Sequence, residues 1–351
     1  MSDSILQSGN TKTDALIVGA GPIGLEVAIE LRKRGLKTLN VDRGALASQI
    51  MAFPPGIRFF SSPERIAIAG VPLQTVNQEK ASREEYLAYL RTVAHMHELS
   101  LRTYEEVVGL EGDSGNFTAH TRTRSGRNRT IQADRIILAV GGTARPRRLN
   151  IPGEKLPHVS SEVGEVHRFF KRRVLVIGGK NSAAESALRI WRAHGGVTLC
   201  SRGAELHPRI KYWIRPELDV LLRNKFIHGL FSTRAVEILP DRVILEQVDS
   251  GERFELEVDD VLLQIGYEAD PGPFNLIGCR LDGENQHVVH NPDSMETSVP
   301  GVFVAGTAVA GTQGRFEIYI ENSHIHATRI AAHLAGEPVP ETPRLPELPE
   351  A

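Results

Sequence analysis

A chain of 351 residues is long enough for about two to three domains with real cores, and 41% hydrophobic with 24% charged residues is an ordinary globular composition. The net charge of -2 gives no electrostatic reason for a nucleic-acid or anionic-membrane partner, and no apolar run approaches the roughly 20 residues of a membrane span. Only two cysteines, Cys200 and Cys279, are present, which excludes a disulfide framework and a cysteine-spaced metal site; MSDSILQSGNTK has no signal-peptide features, so the expected location is the cytoplasm.

Residues 1–12 are expected to be disordered. Asp14–Gly24, DALIVGAGPIG, then predicts a buried strand running into G-x-G-x-x-G, the turn of a dinucleotide site. Gly19 permits the tight turn, Gly21 lets the backbone approach a pyrophosphate, and Gly24 lets helix and strand pack closely. Pro22 and Ile23 lie inside the same turn. The helix over Gly24–Arg34 points its amides and positive dipole end at the phosphates. Lys37–Asp42 is the next strand, with Asp42 placed for a ribose hydroxyl and Arg43 directly after it.

Arg43–Thr75 reads as an aperiodic loop wrapping a ligand, with Gln49 among its candidate contacts. Ser82–Glu98 is an amphipathic helix opened by a capping box of Ser82 and Glu85. Short strands are expected at Leu101–Tyr104, Glu106–Glu111, Asn116–Thr123 and Arg129–Ala133. A separate buried strand, Asp134–Gly142, ends in glycines, with Gly141 a further cofactor contact.

After a proline-rich crossing, Ala144–Glu154, the opening grammar repeats. Arg173–Gly178 is the strand, Gly178–Ala183 (GGKNSA: Gly178, Gly179, Lys180, Asn181, Ser182, Ala183) the turn, Ala183–His194 the helix and Val197–Cys200 the next strand. Strands at Ala235–Leu239, Arg242–Val248, Arg253–Val258 and Asp260–Gly266 come next. A second crossing, Tyr267–Pro273, leads to Gly301–Gly306 and a last helix near Phe316–Leu334; the tail from Pro338 holds five prolines and is expected to be disordered. The fold class is α/β: two Rossmann-like dinucleotide-binding domains, the second inserted into the first. The expected boundaries are 13–150 and 271–337 for one domain, 151–270 for the other, and 338–351 for the tail.

The two units differ at the end of the strand after the helix. In the inserted unit that strand ends in Ser201 and Arg202 instead of an acid. A carboxylate there suits a free ribose, whereas an arginine pairs with a 2′-phosphate. His207, Arg209 and Lys211 lie just downstream, either as part of a phosphate pocket or as solvated surface cations. Asp42 fits FAD or NAD and Arg202 fits NADPH. Two nicotinamide sites would serve no chemistry, so the assignment is FAD first and NADPH second.

This order resembles the two-dinucleotide-binding flavoprotein disulfide reductases, and the compact length resembles the low-molecular-weight thioredoxin reductase group. Within it the chain resembles the YpdA-type, bacillithiol-disulfide-reductase-like flavoproteins, through FFSSPERIAIAGVPL (Phe59–Leu73), GGKNSAAESAL (Gly178–Leu188), RIKYWIRPEL (Arg209–Leu218) and IYIENSHIHATRIA (Ile318–Ala331). Three departures stand out. The C-x-x-C of thioredoxin reductases is missing, and both cysteines read as structural. The family's cysteine before the last glycine of GGGPCG is Ile23, which cannot form a mixed disulfide. The superfamily's Gly-Asp after the last strand is Gly306-Thr307, whose hydroxyl hydrogen-bonds a flavin ribityl chain more weakly than a carboxylate.

The resemblance implies an NADPH-oxidising FAD enzyme, with the last helix, beginning near Phe316, facing the flavin. Glu317, Tyr319, Glu321, Asn322, His324 and His326 are then either candidate proton donors or polar residues of a solvated face, and no catalytic acid is assigned. The expected acceptor is a small disulfide or a small redox protein such as ferredoxin. A non-catalytic flavin- or NADPH-binding sensor is the rival class. A homodimer or higher homo-oligomer is implied by the superfamily alone.

Overall fold

The second half of β1 (Thr11–Val18), Ala15–Val18, is apolar and buried on both faces, as a central parallel strand must be. This computed structural model describes residues 11–342, so residues 1–10 and 343–351 of the expected disordered ends lie outside the described residues. Thr11 and Lys12, expected to be disordered, belong to β1 and pair with Ile131 and Gln132.

Two compact units share the chain. The first takes residues 11–52, Gly56–Arg145 and the residues from Glu268 onward; the second takes Pro146–Tyr267 with 53–55. In the first, β1 leads to α1 (Pro22–Lys33) and β2 (Thr38–Asp42). The expected loop after Asp42 contains two one-turn helices, α2 (Ser48–Met51) and α3 (Pro63–Ile66). Then come α4 (Arg83–Met96), β3 (Leu101–Thr103), β4 (Glu105–Asp113), β5 (Asn116–Thr123) and β6 (Asn128–Leu138). The capping box of α4 is present: Glu85 N–H donates to Ser82 Oγ at 3.2 Å, and Ser82 N–H to Glu85 Oε2 at 2.7 Å.

β7 (Arg145–Pro146) leads into the second unit, with β8 (Val159–Ser160), β9 (Arg173–Ile177), α5 (Asn181–Arg192), β10 (Gly196–Cys200), α6 (Arg215–Arg223) and β11 (His228–Leu230). An antiparallel three-stranded sheet of β12 (Thr233–Ile238), β13 (Arg242–Gln247) and β14 (Arg253–Glu257) precedes β15 (Asp260–Leu263). β16 (Tyr267–Glu268) returns the chain to α7 (Gly272–Asn275), β17 (Leu281–Asp282), β18 (His287–Val288), β19 (Val302–Val304) and α8 (His324–Ala335).

The first sheet runs β3-β2-β1-β6-β5-β4, with β19 also on β6, and the second runs β11-β10-β9-β15-β8, all parallel. β6 corrects one expectation: Arg129–Ala133 and Asp134–Gly142 are not separate strands. Its first half pairs antiparallel with β5, and Ile136–Leu138 pair parallel with β19. The partner changes near Asp134, but the backbone does not break. Each unit has its own core, with Val18, Val27, Val41, Ile137, Phe303 and Ile330 in the first and Val176, Ala187, Ile190, Leu199 and Leu218 in the second.

The last helix begins at His324, eight residues later than the expected start near Phe316. The cause is buried Gln313, whose Oε1 accepts the N–H groups of Glu317 at 2.9 Å and Ile318 at 3.0 Å, while its Nε2 donates to Ile318 O at 3.0 Å. A side chain that takes these amides holds 313–320 as a loop. α6 was not expected; with only Leu218 and Leu221 buried along nine residues, it offers too little apolar period to read.

Candidate functional site

The first turn is shaped by backbone contact. Gly19 sits at φ +119°, and a Cβ there would lie 2.3 Å from Ala139 O; a Cβ on Gly24 would lie 2.5 Å from Gly19 O. A Cβ on Gly21 would meet no atom within 4 Å, so the space before this glycine is open. α1 starts with no side-chain cap and no acid in its first turn, which leaves its positive end to an anion. This cradle fits a pyrophosphate. Pro22 supplies the first helical position, where a missing N–H costs nothing.

Asp42 closes the turn from β2. Its Oδ2 accepts Ala20 N–H and its Oδ1 accepts Gly44 N–H, each at 2.8 Å, which fixes the carboxylate at the edge where a ribose would lie. Asn40, which the sequence did not single out, is buried and donates from Nδ2 to Gly19 O at 3.1 Å and Gly24 O at 3.0 Å. An asparagine inside an apolar strand was the available signal. Arg43 is turned to Asp270, 2.8 Å away, and Arg145 also pairs with that carboxylate.

Two more glycine turns join the first at the carboxyl ends of its sheet. Gln49 donates from Nε2 to Val140 O at 2.6 Å and accepts from Thr143 Oγ1 at 2.9 Å, strapping the Gly141 turn; a Cβ on Gly141 would strike the Gln49 side chain. A Cβ on Gly142 would lie 3.1 Å from Thr307 O, and one on Gly306 3.3 Å from the Ile23 Cβ. Gly19–Gly24, Gly141–Gly142 and Gly306–Thr307 therefore come together, and the open space at Gly21 is the candidate crevice of this unit. Phe316 is exposed in the loop before α8, its ring 6.2 Å from that of Tyr319.

The polar residues of that region divide sharply. Asn322 accepts Tyr319 N–H at 2.8 Å and donates to Glu317 O at 2.7 Å, a purely local role. Glu317 is exposed, and Glu321 Oε2 lies 3.6 Å from Arg65 Nε. His324 Nδ1 faces Glu26 Oε2 at 2.7 Å and Nε2 faces Arg65 O at 2.9 Å. Two acceptors make it an imidazolium: burial opposes the charge, but the hydrogen bond and charge of Glu26 hold the pKa above its ordinary value. His326 is the opposite case, with Nδ1 accepting Gly306 N–H at 3.1 Å. Both ring nitrogens of His324 are engaged, and the His326 pKa is pushed down to about 4, so neither is set up as a general acid.

In the second unit, Gly178 at φ +147° would drive a Cβ to 2.3 Å from Gln264 O, and Gly179 would drive one to 2.5 Å from Ser201 Oγ. Lys180 replaces the middle glycine without strain, because its backbone is extended (φ -114°, ψ -169°). Ala183 is fully buried, and Ser182 O accepts from Ser186 Oγ at 2.6 Å. α5 also starts without a side-chain cap or a first-turn acid.

Asn181 Oδ1 accepts Lys211 N–H at 2.7 Å, and His207 N–H donates to Gly179 O at 3.1 Å, folding 207–211 back on the turn. Burial, then the charges of Lys180 and Arg209, push the His207 pKa down, which places three basic side chains together. The side chains of Arg202 and Arg209 make no hydrogen bond or ion pair among the described residues, whereas buried Lys211 lies 3.3 Å from Glu185. Cations without a carboxylate partner beside a helix start fit a 2′-phosphate. Lys211 has Glu185 as a carboxylate partner, which Arg202 and Arg209 lack among the described residues.

The cysteines are both buried. Cys200 Sγ donates to Thr233 O at 3.4 Å, and burial pushes its pKa up to about 12. Cys279 Sγ donates to Thr297 Oγ1 at 3.4 Å, and burial raises its pKa also. Among the described residues there is no metal-holding group of three or more His, Cys, Asp or Glu, and no helix long and apolar enough to cross a membrane.

Residues 16–306 match the family model described as pyridine nucleotide-disulphide oxidoreductase. The chain belongs to this family. It is 35% identical over 323 residues, 92% of this chain and 97% of the relative, to bacilliredoxin reductase Bdr of Bacillus subtilis. The solved bacillithiol disulfide reductase Bdr (YpdA) of Bacillus cereus superposes with a TM-score of 0.88 at 34% identity, covering 93% of this chain and 99% of that one. A ferredoxin–NADP reductase of Granulibacter bethesdensis is 28% identical, covering 92% of this chain and 88% of its own length. The expected α/β fold and the YpdA-type likeness are therefore borne out. As a member of the pyridine nucleotide-disulphide oxidoreductases the chain is an NADPH-dependent flavoprotein oxidoreductase, with FAD and NADPH as its cofactors.

Proposed function

We propose that this enzyme moves two electrons from NADPH to a low-molecular-weight disulfide of the bacillithiol-disulfide type, with no protein thiol on the route. The balance is NADPH + H⁺ + RSSR → NADP⁺ + 2 RSH: the S–S bond breaks, and each sulfur leaves as a thiol. FAD, when bound, supplies acceptance of the hydride and its delivery onward. Gly19, Gly21 and Gly24 would hold its pyrophosphate, Asp42 its ribose, and Gly141 and Gly306–Thr307 the rest of the crevice. Lys180, Arg202, His207 and Arg209 would hold the 2′-phosphate of NADPH.

The observation that carries the reading is the state of the thiols. Cys200 and Cys279 are buried, hydrogen-bonded and held protonated, and Ile23, inside the first glycine turn, packs against Gly306. A thiol so held does not attack a disulfide. Relatives named for bacilliredoxin and bacillithiol disulfide reduction support the acceptor class.

The test uses purified holoenzyme, NADPH and bacillithiol disulfide. Two thiols should appear per NADPH, and Cys200→Ala/Cys279→Ala should keep turnover within about twofold. Loss of turnover in that double variant, while it stays folded and yellow, would put a protein thiol back on the route. A second reading, electron transfer to ferredoxin, is supported by the likeness to ferredoxin–NADP reductases. Ferredoxin reduction without any thiol release would establish it instead.

A further inference from the structure

α8 carries two histidines two positions apart in opposite charge states, and the neutral one reaches the crevice of the first unit. His326 is 7% exposed, and its Nδ1 accepts the backbone N–H of Gly306 at 3.1 Å. A ring nitrogen that accepts carries no proton, so His326 is the Nε2–H tautomer. Gly306 is a demanding position: it sits at φ +75°, opens the single 3₁₀ turn Gly306–Ala310, and lies against Ile23 of the first glycine turn. Its amide lies two residues past the end of β19 and needs a partner once buried. A histidine at this depth costs more to bury than an apolar residue, so its use here points to the bond it makes.

We propose that His326 is a positioning residue for FAD, acting as the hydrogen-bond acceptor that holds the Gly306 amide and thereby sets the Gly306–Thr307 turn in the flavin-binding crevice. The proposal rests on the reading that FAD occupies the first glycine turn. Threonine in place of the superfamily's aspartate makes that positioning matter more, because a single hydroxyl hydrogen-bonds in fewer directions than a carboxylate.

Protonation removes the acceptor. The groups that face the ring are His290, just after β18 in the chain, and Arg329 and His324 on α8; all disfavour a further positive charge there. Burial is the first cause, and together they bring the pKa from 6.5 to about 4. The unfolded chain binds the proton more readily, so by linkage the stabilisation is fully present above pH 6.5 and is lost as pH falls from there through about 4. Below that range an Nδ1–H would point at the Gly306 N–H.

The test monitors release of FAD from the holoenzyme by flavin fluorescence across that pH range, in wild type, His326→Asn and His326→Leu. Wild type should release FAD increasingly as the pH falls towards about 4. His326→Asn, whose amide oxygen accepts at every pH, should hold FAD at neutral pH and release it over a lower pH range than wild type. His326→Leu should bind FAD about fivefold more weakly at neutral pH, the loss of one hydrogen bond. An Asn variant with the wild-type pH profile, or a Leu variant as tight as wild type, would overturn the proposal. Should the Leu variant not fold, the Asn profile decides alone. Wild-type protein that cannot be loaded with FAD would instead defeat the site reading beneath it.

Discussion

Two turns with the same strand–turn–helix layout, Gly19–Gly24 and Gly178–Ala183, are surrounded by different chemistry. The first is rigid and acid-closed: Asn40 binds two of its carbonyls, and Asp42 binds the amides of Ala20 and Gly44. The second keeps glycine only where a Cβ would strike backbone or Ser201, and admits lysine where the backbone is extended. Its surroundings are basic, with Lys180, His207 and Arg209 close together and Arg202 without an ion-pair partner among the described residues. The lesson is that a glycine motif reports only where a Cβ cannot go. The charge at the end of the next strand reports which ligand comes.

That comparison breaks most visibly at Gly19. Gly19→Ala places a methyl against Ala139 O at a φ costing roughly 1–3 kcal/mol, and should yield colourless, destabilised protein by absorbance and Tm. Gly21→Ala sharpens the point. Its methyl meets no protein atom, so the Tm of the apoprotein should stay unchanged while FAD binding is lost. In the second turn, Arg202→Asp should raise the KM for NADPH roughly 10- to 100-fold with little change for NADH, as steady-state kinetics would measure. Lys211→Met should leave cofactor preference intact and lower Tm, because Glu185 loses its partner. The smallest effect is screening. Raising ionic strength from about 0.05 to about 0.5 M should weaken NADPH binding several-fold and leave FAD retention almost unchanged.

Much of this contrast is legible in the residues themselves. The βαβ units, the insertion order, Asp42 against Arg202 and the absence of C-x-x-C all come from period, spacing and charge. The rest was set by side chains acting at a distance in sequence. Gln313 takes two amides and delays the last helix to His324, so Phe316 lies in a loop. Asn40 looked like one residue of a strand, Arg43 turned to Asp270, and Lys211 turned to Glu185. β6 read as two strands because its partner changes midway. The charge states of His324 and His326 are invisible in HIHA; they depend on what each ring nitrogen meets.

If the acid-closed turn holds FAD and the basic turn selects NADPH, the two nucleotides NADPH and NADH must reduce the flavin at different rates. Anaerobic mixing of the purified enzyme with each of them, monitored by flavin absorbance, tests this pairing of turn and cofactor most directly. The yellow protein should bleach within seconds under NADPH and far more slowly under NADH at equal concentration. Equal bleaching by both nucleotides, or faster bleaching by NADH, would contradict it.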